Sequence, residues 1–214
     1  MEQLIRQSDI IPIGVLGEPI TIVGAGAVGS WTSLSLAKMG FGNIQVIDFD
    51  IVSIENMNSQ FYRMKDIGKF KVHALQELVH EFTGFQIQAN TEAYVQSKFN
   101  GIVIAAVDSM KVRQALFDAH QGVHPCFVID PRMGAEVLTL NTYQPIQPDQ
   151  RNSYEKTLFS DENSVQEPCT RKSTAYCASV LAGLVCAQVK AKVTNQPVAK
   201  SIQLDIPKLG WLSW

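Results

Sequence analysis

Long apolar runs are missing from this sequence of 214 residues. No stretch reaches the ~18 uninterrupted apolar residues that a membrane span needs, and the opening MEQLIRQSD lacks the basic and apolar regions of a secretory signal. These absences predict a cytoplasmic protein with no membrane partner. A surplus of one charge is missing too, since 18 Lys and Arg stand against 20 Asp and Glu for a net charge of −2. With no basic block to attract a phosphate backbone, no nucleic-acid partner is expected. Cysteine is sparse, and Cys126, Cys169, Cys177 and Cys186 form no C-x-x-C pair. That argues against a zinc ribbon, and a reducing compartment argues against a disulfide framework. No internal repeat is visible.

What is present is organised around the stretch from Ile20 to Lys71. The apolar ITIV (Ile20 to Val23) runs through GAGAVGS into a helical pattern, and the chain rises again through NIQVIDFD to Asp48 and Asp50. Gly24, Gly26 and Gly29 make the G-x-G-x-x-G spacing, and Asp48 lies 19 residues beyond Gly29, near the ~20 expected of a ribose-binding acid. Glycines admit a polyphosphate close to the backbone, and a helix N-terminus offers it unpaired N–H groups and a positive dipole end. The pattern therefore predicts a nucleotide-binding βαβ unit.

The chain length, with 46% apolar residues, suits one domain that buries roughly 70% of its unfolded surface. We read residues 1–18 as an N-terminal arm carrying Arg6, residues 19–206 as the nucleotide-binding domain, and residues 207–214 as a tail ending in Trp211 and Trp214. Within the domain, helices are expected to Gly40, over Lys71 to Phe82, and over Val112 to Ala119. Strands are expected at Asn43 to Asp48, Phe85 to Thr91, Gly101 to Val107, Cys126 to Asp130, Ala135 to Tyr143 and Ser201 to Ile206. Asp50 to Lys71 is too polar and irregular for either and reads as a functional loop. Residues 144–168, with three prolines and little periodicity, read as a long crossing loop, and Thr170 to Val193 as one buried helix. The fold class is α/β: Rossmann-like, a mostly parallel sheet with helices on both faces, C-terminal antiparallel strands and that crossing loop.

The run DFDIVSIENMNSQFYRMKDIGKFK, from Asp48 to Lys71, carries two leading acids, an asparagine at Asn56, Q-F at Gln60 and Phe61, and a closing D-I-G-x-x-K. Farther on stands VDSMKVRQAL, with Asp108 and Arg113. In content and order these segments resemble the ThiF, MoeB and E1 family of adenylating enzymes, over roughly residues 6 to 195. The resemblance implies ATP and Mg²⁺ as cofactors and the C-terminal carboxylate of a ubiquitin-like or sulfur-carrier protein as substrate. It implies that Asp48 holds the ribose, Asp50 and Asn56 lie near the phosphates, Lys71 contacts the polyphosphate, and Asp108 binds the metal. It also implies a homodimer or an E1-like heterodimer, in which Arg6 resembles an arginine that a partner inserts into the ATP site. The residue types suit the chemistry, because attack on the α-phosphorus builds oxyanion charge that cations offset and a carboxylate-held metal shares. Taken singly, Lys71 also reads as a solvated helix-start lysine and Asp108 as a helix cap.

Where the family pattern has N-R-Q-F, this chain has Asn58, Ser59, Gln60 and Phe61. Serine brings neither charge nor a bidentate fork, and Arg63 is the expected substitute. Cys169, in E-P-C-T-R near the start of the buried helix, is the candidate nucleophile for onward thioester formation. A helix N-terminus and Arg171 would lower its thiol pKa from the usual ~8.5, while the other reading of a free cysteine is core packing. Cys177 and Cys186 read as packing, and Arg132 either meets a carrier tail or pairs with Asp130. Three functions follow: adenylation of a carrier, a catalytically degenerate scaffold that needs an active partner, and an NAD-dependent oxidoreductase sharing the glycine loop.

Overall fold

In the computed structural model, which describes residues 2–93, 99–120, 126–159 and 173–214, the apolar runs become one sheet of eight strands ordered β3-β2-β1-β4-β5-β6-β7-β8. The strands are β1 (Ile20–Val23), β2 (Ile44–Ile47), β3 (Gln88–Asn90), β4 (Gly101–Ala105), β5 (Cys126–Gly134), β6 (Val137–Tyr143), β7 (Ser201–Asp205) and β8 (Gly210–Ser213). The first five pair in parallel, and β6, β7 and β8 add antiparallel edges. In β1 and β4 every residue is buried, as a parallel strand covered on both faces must be.

Side chains alternate between the two faces, with the period of two that a pleated strand imposes. Ile20, Ile22, Ile44, Val46, Ile102 and Ile104 point into the larger core, against α1 (Ala27–Lys38), α2 (Lys71–Thr83) and α5 (Ala175–Val193). Val23, Val103, Ala105, Val128 and Tyr143 point the other way, against Leu116 and Phe117 of α3 (Met110–Ala119) and Tyr154 of α4 (Pro148–Glu155). The Rossmann-like class with helices on both faces is therefore the observed one. α5 is long and apolar enough to cross a bilayer by length and composition, and here it packs against α1, β5 and β6.

The caps follow local chemistry. Thr174 caps α5 by accepting from Cys177 N, and Ser109 caps α3 by accepting from Val112 N. Gly84 ends α2 at φ +77, the left-handed turn that suits glycine.

Several boundaries differ from the sequence reading. The crossing loop holds a helix, because Pro148 supplies a fixed φ at N1 and Tyr154 a single buried anchor, although the apolar periodicity is too thin to announce it. Residues 160–172, which include Cys169 and Arg171, lie outside the described residues. The P-R-M-G after Asp130 is strand rather than connection, paired residue for residue with β6. Residues 207–214 are not a tail: Gly210 to Ser213 form the edge strand, which makes β7 an interior one.

Candidate functional site

The parallel strand order reverses between β1 and β4, and in open α/β sheets ligands bind in the crevice beyond the carboxyl ends of the strands at such a point. The glycine loop lies there. Its three glycines are needed for different reasons. A Cβ on Gly24, which sits at φ +97, would stand 2.3 Å from Ala106 O, and one on Gly29 would stand 2.0 Å from Gly24 O. These two let β1, β4 and α1 pack backbone to backbone. Gly26 is the N-cap of α1 without a side-chain cap bond, and a Cβ there would meet nothing within 4 Å. The N-terminus of α1, where helix N–H groups lack intrahelical partners, thus borders open space at Gly26.

Asp48, just past β2, grips the loop through its carboxylate: Oδ2 accepts from Ala25 N at 2.6 Å and Oδ1 from Asp50 N at 2.8 Å. Lys71, at the start of α2, is only 6% exposed and donates to Asp50 Oδ2 at 2.7 Å. It is therefore not a solvated surface lysine. The bridge between Ile51 and Phe70 closes the segment from 51 to 70 into a loop and brings Asp50 and Lys71 together. Asn56 uses its side-chain oxygen within that loop, accepting from Ser53 N at 2.9 Å.

The stretch from 59 to 62 is stitched along the loop and the first turn of α1. Trp31 Nε1 donates to Ser59 O at 2.9 Å, Phe61 N to Ser30 Oγ at 2.9 Å, and the Tyr62 hydroxyl to Ala25 O at 2.6 Å. Ser59 is 3% exposed, and its hydroxyl accepts from Ser173 Oγ at 2.8 Å. Between these contacts lies Gln60, whose Oε1 is buried without a partner among the described residues, an orphan of the kind a bound polar ligand would satisfy. Burial and the charges of Asp48, Asp66 and Asp50 hold the Tyr62 phenol well above its ordinary pKa, so it remains a proton donor.

Arg63 does not take the place of the missing family arginine. Its guanidinium is committed to Asp66 at 2.8 Å, to Glu77 at 3.3 Å and to Glu81, on the flank of α2. Arg6 sits exposed in the turn Glu2–Gln7. Its neighbour Gln7 donates to Met39 O, at the far end of α1 and, by helix rise, about 18 Å from the glycine loop of its own chain. Asp108 stands exposed past β4 with no partner among the described residues, and the cap of α3 is Ser109 rather than Asp108. Behind it Arg113 donates to the carbonyl of Val107 and pairs with buried Asp130 at 2.8 Å. Arg132 pairs with the same carboxylate at 2.6 Å and donates to Thr157 O at 2.7 Å, which answers the question the sequence left open for it.

Cys177 and Cys186 are buried, and burial pushes the Cys186 thiol up to about 12, which leaves it unreactive. Among the described residues no three His, Cys, Asp or Glu side chains cluster as metal ligands. A lone carboxylate such as Asp108 still suits Mg²⁺, which takes one or two carboxylates and completes its shell with phosphate oxygens and water. Tyr62, Gln60 and Arg113 went unassigned in the sequence reading. The Q-F-Y and D-S-x-x-x-R contexts were in view, but which backbone oxygen each would meet is set by packing.

This geometry defines a Rossmann-type α/β domain with an open glycine loop at its switch point. The ThiF family model matches residues 18–211, and the chain belongs to the ThiF family. It is 38% identical over 104 residues to the NEDD8-activating enzyme E1 catalytic subunit of Dictyostelium discoideum, an alignment covering 44% of this chain and 23% of that protein. It is 32% identical over 107 residues to the tRNA threonylcarbamoyladenosine dehydratase of Escherichia coli (strain K12), covering 45% and 40%. The chain thus spans less than half the length of these relatives. Among solved structures, PaaA superposes with a TM-score of 0.78 at 20% identity, over 100% of this chain and 82% of that one. E. coli MccB with ATP gives 0.77 at 16%, over 99% and 70%.

Proposed function

We propose that this chain is an ATP- and Mg²⁺-dependent adenylating enzyme, with the whole eight-stranded sheet and its helices, β8 included, as its adenylation domain. The substrate in this reading is the C-terminal carboxylate of a ubiquitin-like or sulfur-carrier protein. The observation that carries the reading is the N-terminus of α1, without a side-chain cap and open at Gly26, together with Asp48, Lys71 and the Gln60 side-chain oxygen, which has no partner among the described residues. Asp48 orients the ribose, the loop N–H groups and Lys71 hold the polyphosphate, and Asp50 keeps the Lys71 ammonium in place. Asp108 would hold Mg²⁺, which when bound offsets charge growing at the α-phosphorus. The carrier's carboxylate attacks that phosphorus and pyrophosphate leaves. Cys169 is the proposed acceptor for onward thioester formation, so Cys169→Ser is expected to release pyrophosphate normally and form no thioester.

The family resemblance, together with names among the relatives such as NEDD8-activating enzyme, supports a protein carboxylate as substrate. A partner subunit is also proposed, a second copy or an E1-like homologue. Phe49, Ile51, Ile54, Met64, Ile67 and Phe70 are all exposed in the loop beside the site, an apolar patch that a subunit would cover. Arg6 would act across that interface, since it cannot reach its own site. Two buried free cysteines suit the reducing cytoplasm in which we place the reaction.

A second reading is favoured by one observation. Ser59 fills the family's arginine position, buried and bonded to Trp31 and Ser173, as in a degenerate subunit that depends on an active partner. Calorimetry with ATP and Mg²⁺ on the wild type and on Asp108→Ala tests the first reading. We expect binding that the substitution weakens at least tenfold, with none for NAD. A protein that binds neither nucleotide is the scaffold, and one that binds NAD alone overturns adenylation.

A further inference from the structure

Ala25 lies at the centre of the glycine loop with 0% exposure, and both of its backbone polar groups are held by side chains. Asp48 takes its N–H at 2.6 Å, and the Tyr62 hydroxyl meets its carbonyl at 2.6 Å. These are different peptides. Asp48 fixes the one between Gly24 and Ala25, and Tyr62 fixes the one between Ala25 and Gly26.

A trans peptide is planar, so its C=O and N–H point in opposite directions. Holding the Ala25 carbonyl inward on Tyr62 therefore turns the Gly26 N–H away from Tyr62, at the loop glycine that borders open space. That N–H has no acceptor among the described residues. We propose that Tyr62 is a positioning residue for phosphate binding, aiming the Gly26 N–H at the polyphosphate without touching the nucleotide. The inference rests on the nucleotide reading above and adds the residue that sets the loop.

Tyr62 is well placed for this. Its ring packs against the larger core, its backbone N–H bonds to Gln60 O at 3.0 Å, and the next residue is anchored on α2 through Arg63. The hydroxyl thus reaches Ala25 from a stretch that is tied down on both sides. Replacing it with phenylalanine keeps the ring and removes one donor, leaving a buried carbonyl that regains a partner only by turning the peptide.

The test compares Tyr62→Phe with wild type by calorimetry against ATP and against adenosine. The expected result is ATP binding about tenfold weaker, the scale of one lost hydrogen bond, with adenosine binding unchanged. A purely structural role would weaken both alike, and that outcome, or unchanged ATP binding, overturns the proposal. If the wild type binds no ATP, the nucleotide reading fails along with it, which is a different result from a variant that matches a binding wild type. Should the variant not fold, amide exchange in the wild type asks the same question. The Gly26 amide is expected to be protected by ATP and not by adenosine, and absence of that protection overturns the proposal.

Discussion

A methyl group at Gly24 would collide with Ala106 O at 2.3 Å, whereas one at Gly26 would meet nothing within 4 Å. The two substitutions should therefore fail differently. Gly24→Ala is expected to lower stability by several kcal/mol through backbone overlap at a positive φ, on the scale of about 1–3 kcal/mol for overpacking plus the strain. Gly26→Ala should leave the melting temperature almost unchanged, within about 0.5 kcal/mol, and weaken ATP at least tenfold, because the methyl occupies the space offered to phosphate. Thermal melts and calorimetry on the pair check both halves. Restoring the family residue by Ser59→Arg will not restore a phosphate ligand. Ser59 is 3% exposed and its hydroxyl is bonded to Ser173, so the larger side chain is expected to cost about 1–3 kcal/mol as an overpacking change, read by chemical denaturation.

At the scale of elements, the segment between β2 and α2 is held by charge as well as by the short 3-10 turns Ile54–Asn56 and Met64–Asp66 and the bridge from Ile51 to Phe70. Asp66 has a fully buried side chain and is paired with Arg63 at 2.8 Å and Lys69 at 3.6 Å. Glu77 of α2 closes the network on Lys69 at 2.6 Å. Burial by itself would raise the Asp66 carboxyl, but hydrogen bonds from Arg63 and the charges of Arg63 and Lys69 outweigh it and hold the pKa below the usual range. A carboxyl with a lowered folded-state pKa contributes stability that is complete above its unfolded value, about 4. That stability is lost as the pH falls through the folded value. Acid unfolding of the wild type should therefore have a component that Asp66→Asn removes, with the variant less stable near neutrality by about 1–3 kcal/mol. Equal acid sensitivity of the two proteins would show that the network is idle. Because the same segment carries Gln60 and Tyr62, loss of the network should also weaken nucleotide binding.

At the scale of the whole molecule, the parallel half of the sheet carries the glycine loop and the antiparallel half extends away from it. β8 closes that extension with Trp211 and Leu212 exposed. Deleting residues 207–214 should destabilise the domain, because β7 loses the ladder from Ile202 to Asp205 and becomes a raw edge. A change of less than about 0.5 kcal/mol would mean that the strand is ornamental. The apolar side chains around the site predict an assembly. Sedimentation of the wild type is expected to give a dimer and of Met64→Glu a monomer, while a monomeric wild type would point to an E1-like homologue as the missing subunit.

The βαβ unit, the acid at position 48, the helix from Lys71 and the α/β class were legible in the sequence. Each is written in local spacing: glycines at fixed offsets, alternation with a period of two, and apolar faces with a period near four. The helix from Pro148, the strand from Gly210 and the continuation of β5 through Pro131 to Gly134 were not, because short elements take their stability from neighbours distant in the chain. The same distinction runs through the site. Spacing after the glycines named Asp48, and the resemblance of two motifs to a family pattern named Lys71 and Asp108, since motif content and order are local properties. Only the tertiary structure decided that Arg63 faces acids, that Arg6 lies at the end of α1 remote from the glycine loop of its own chain, and that Tyr62 holds the carbonyl of Ala25. Those outcomes depend on which side chain packing leaves within hydrogen-bonding distance of which oxygen, and no pattern along one chain encodes that distance.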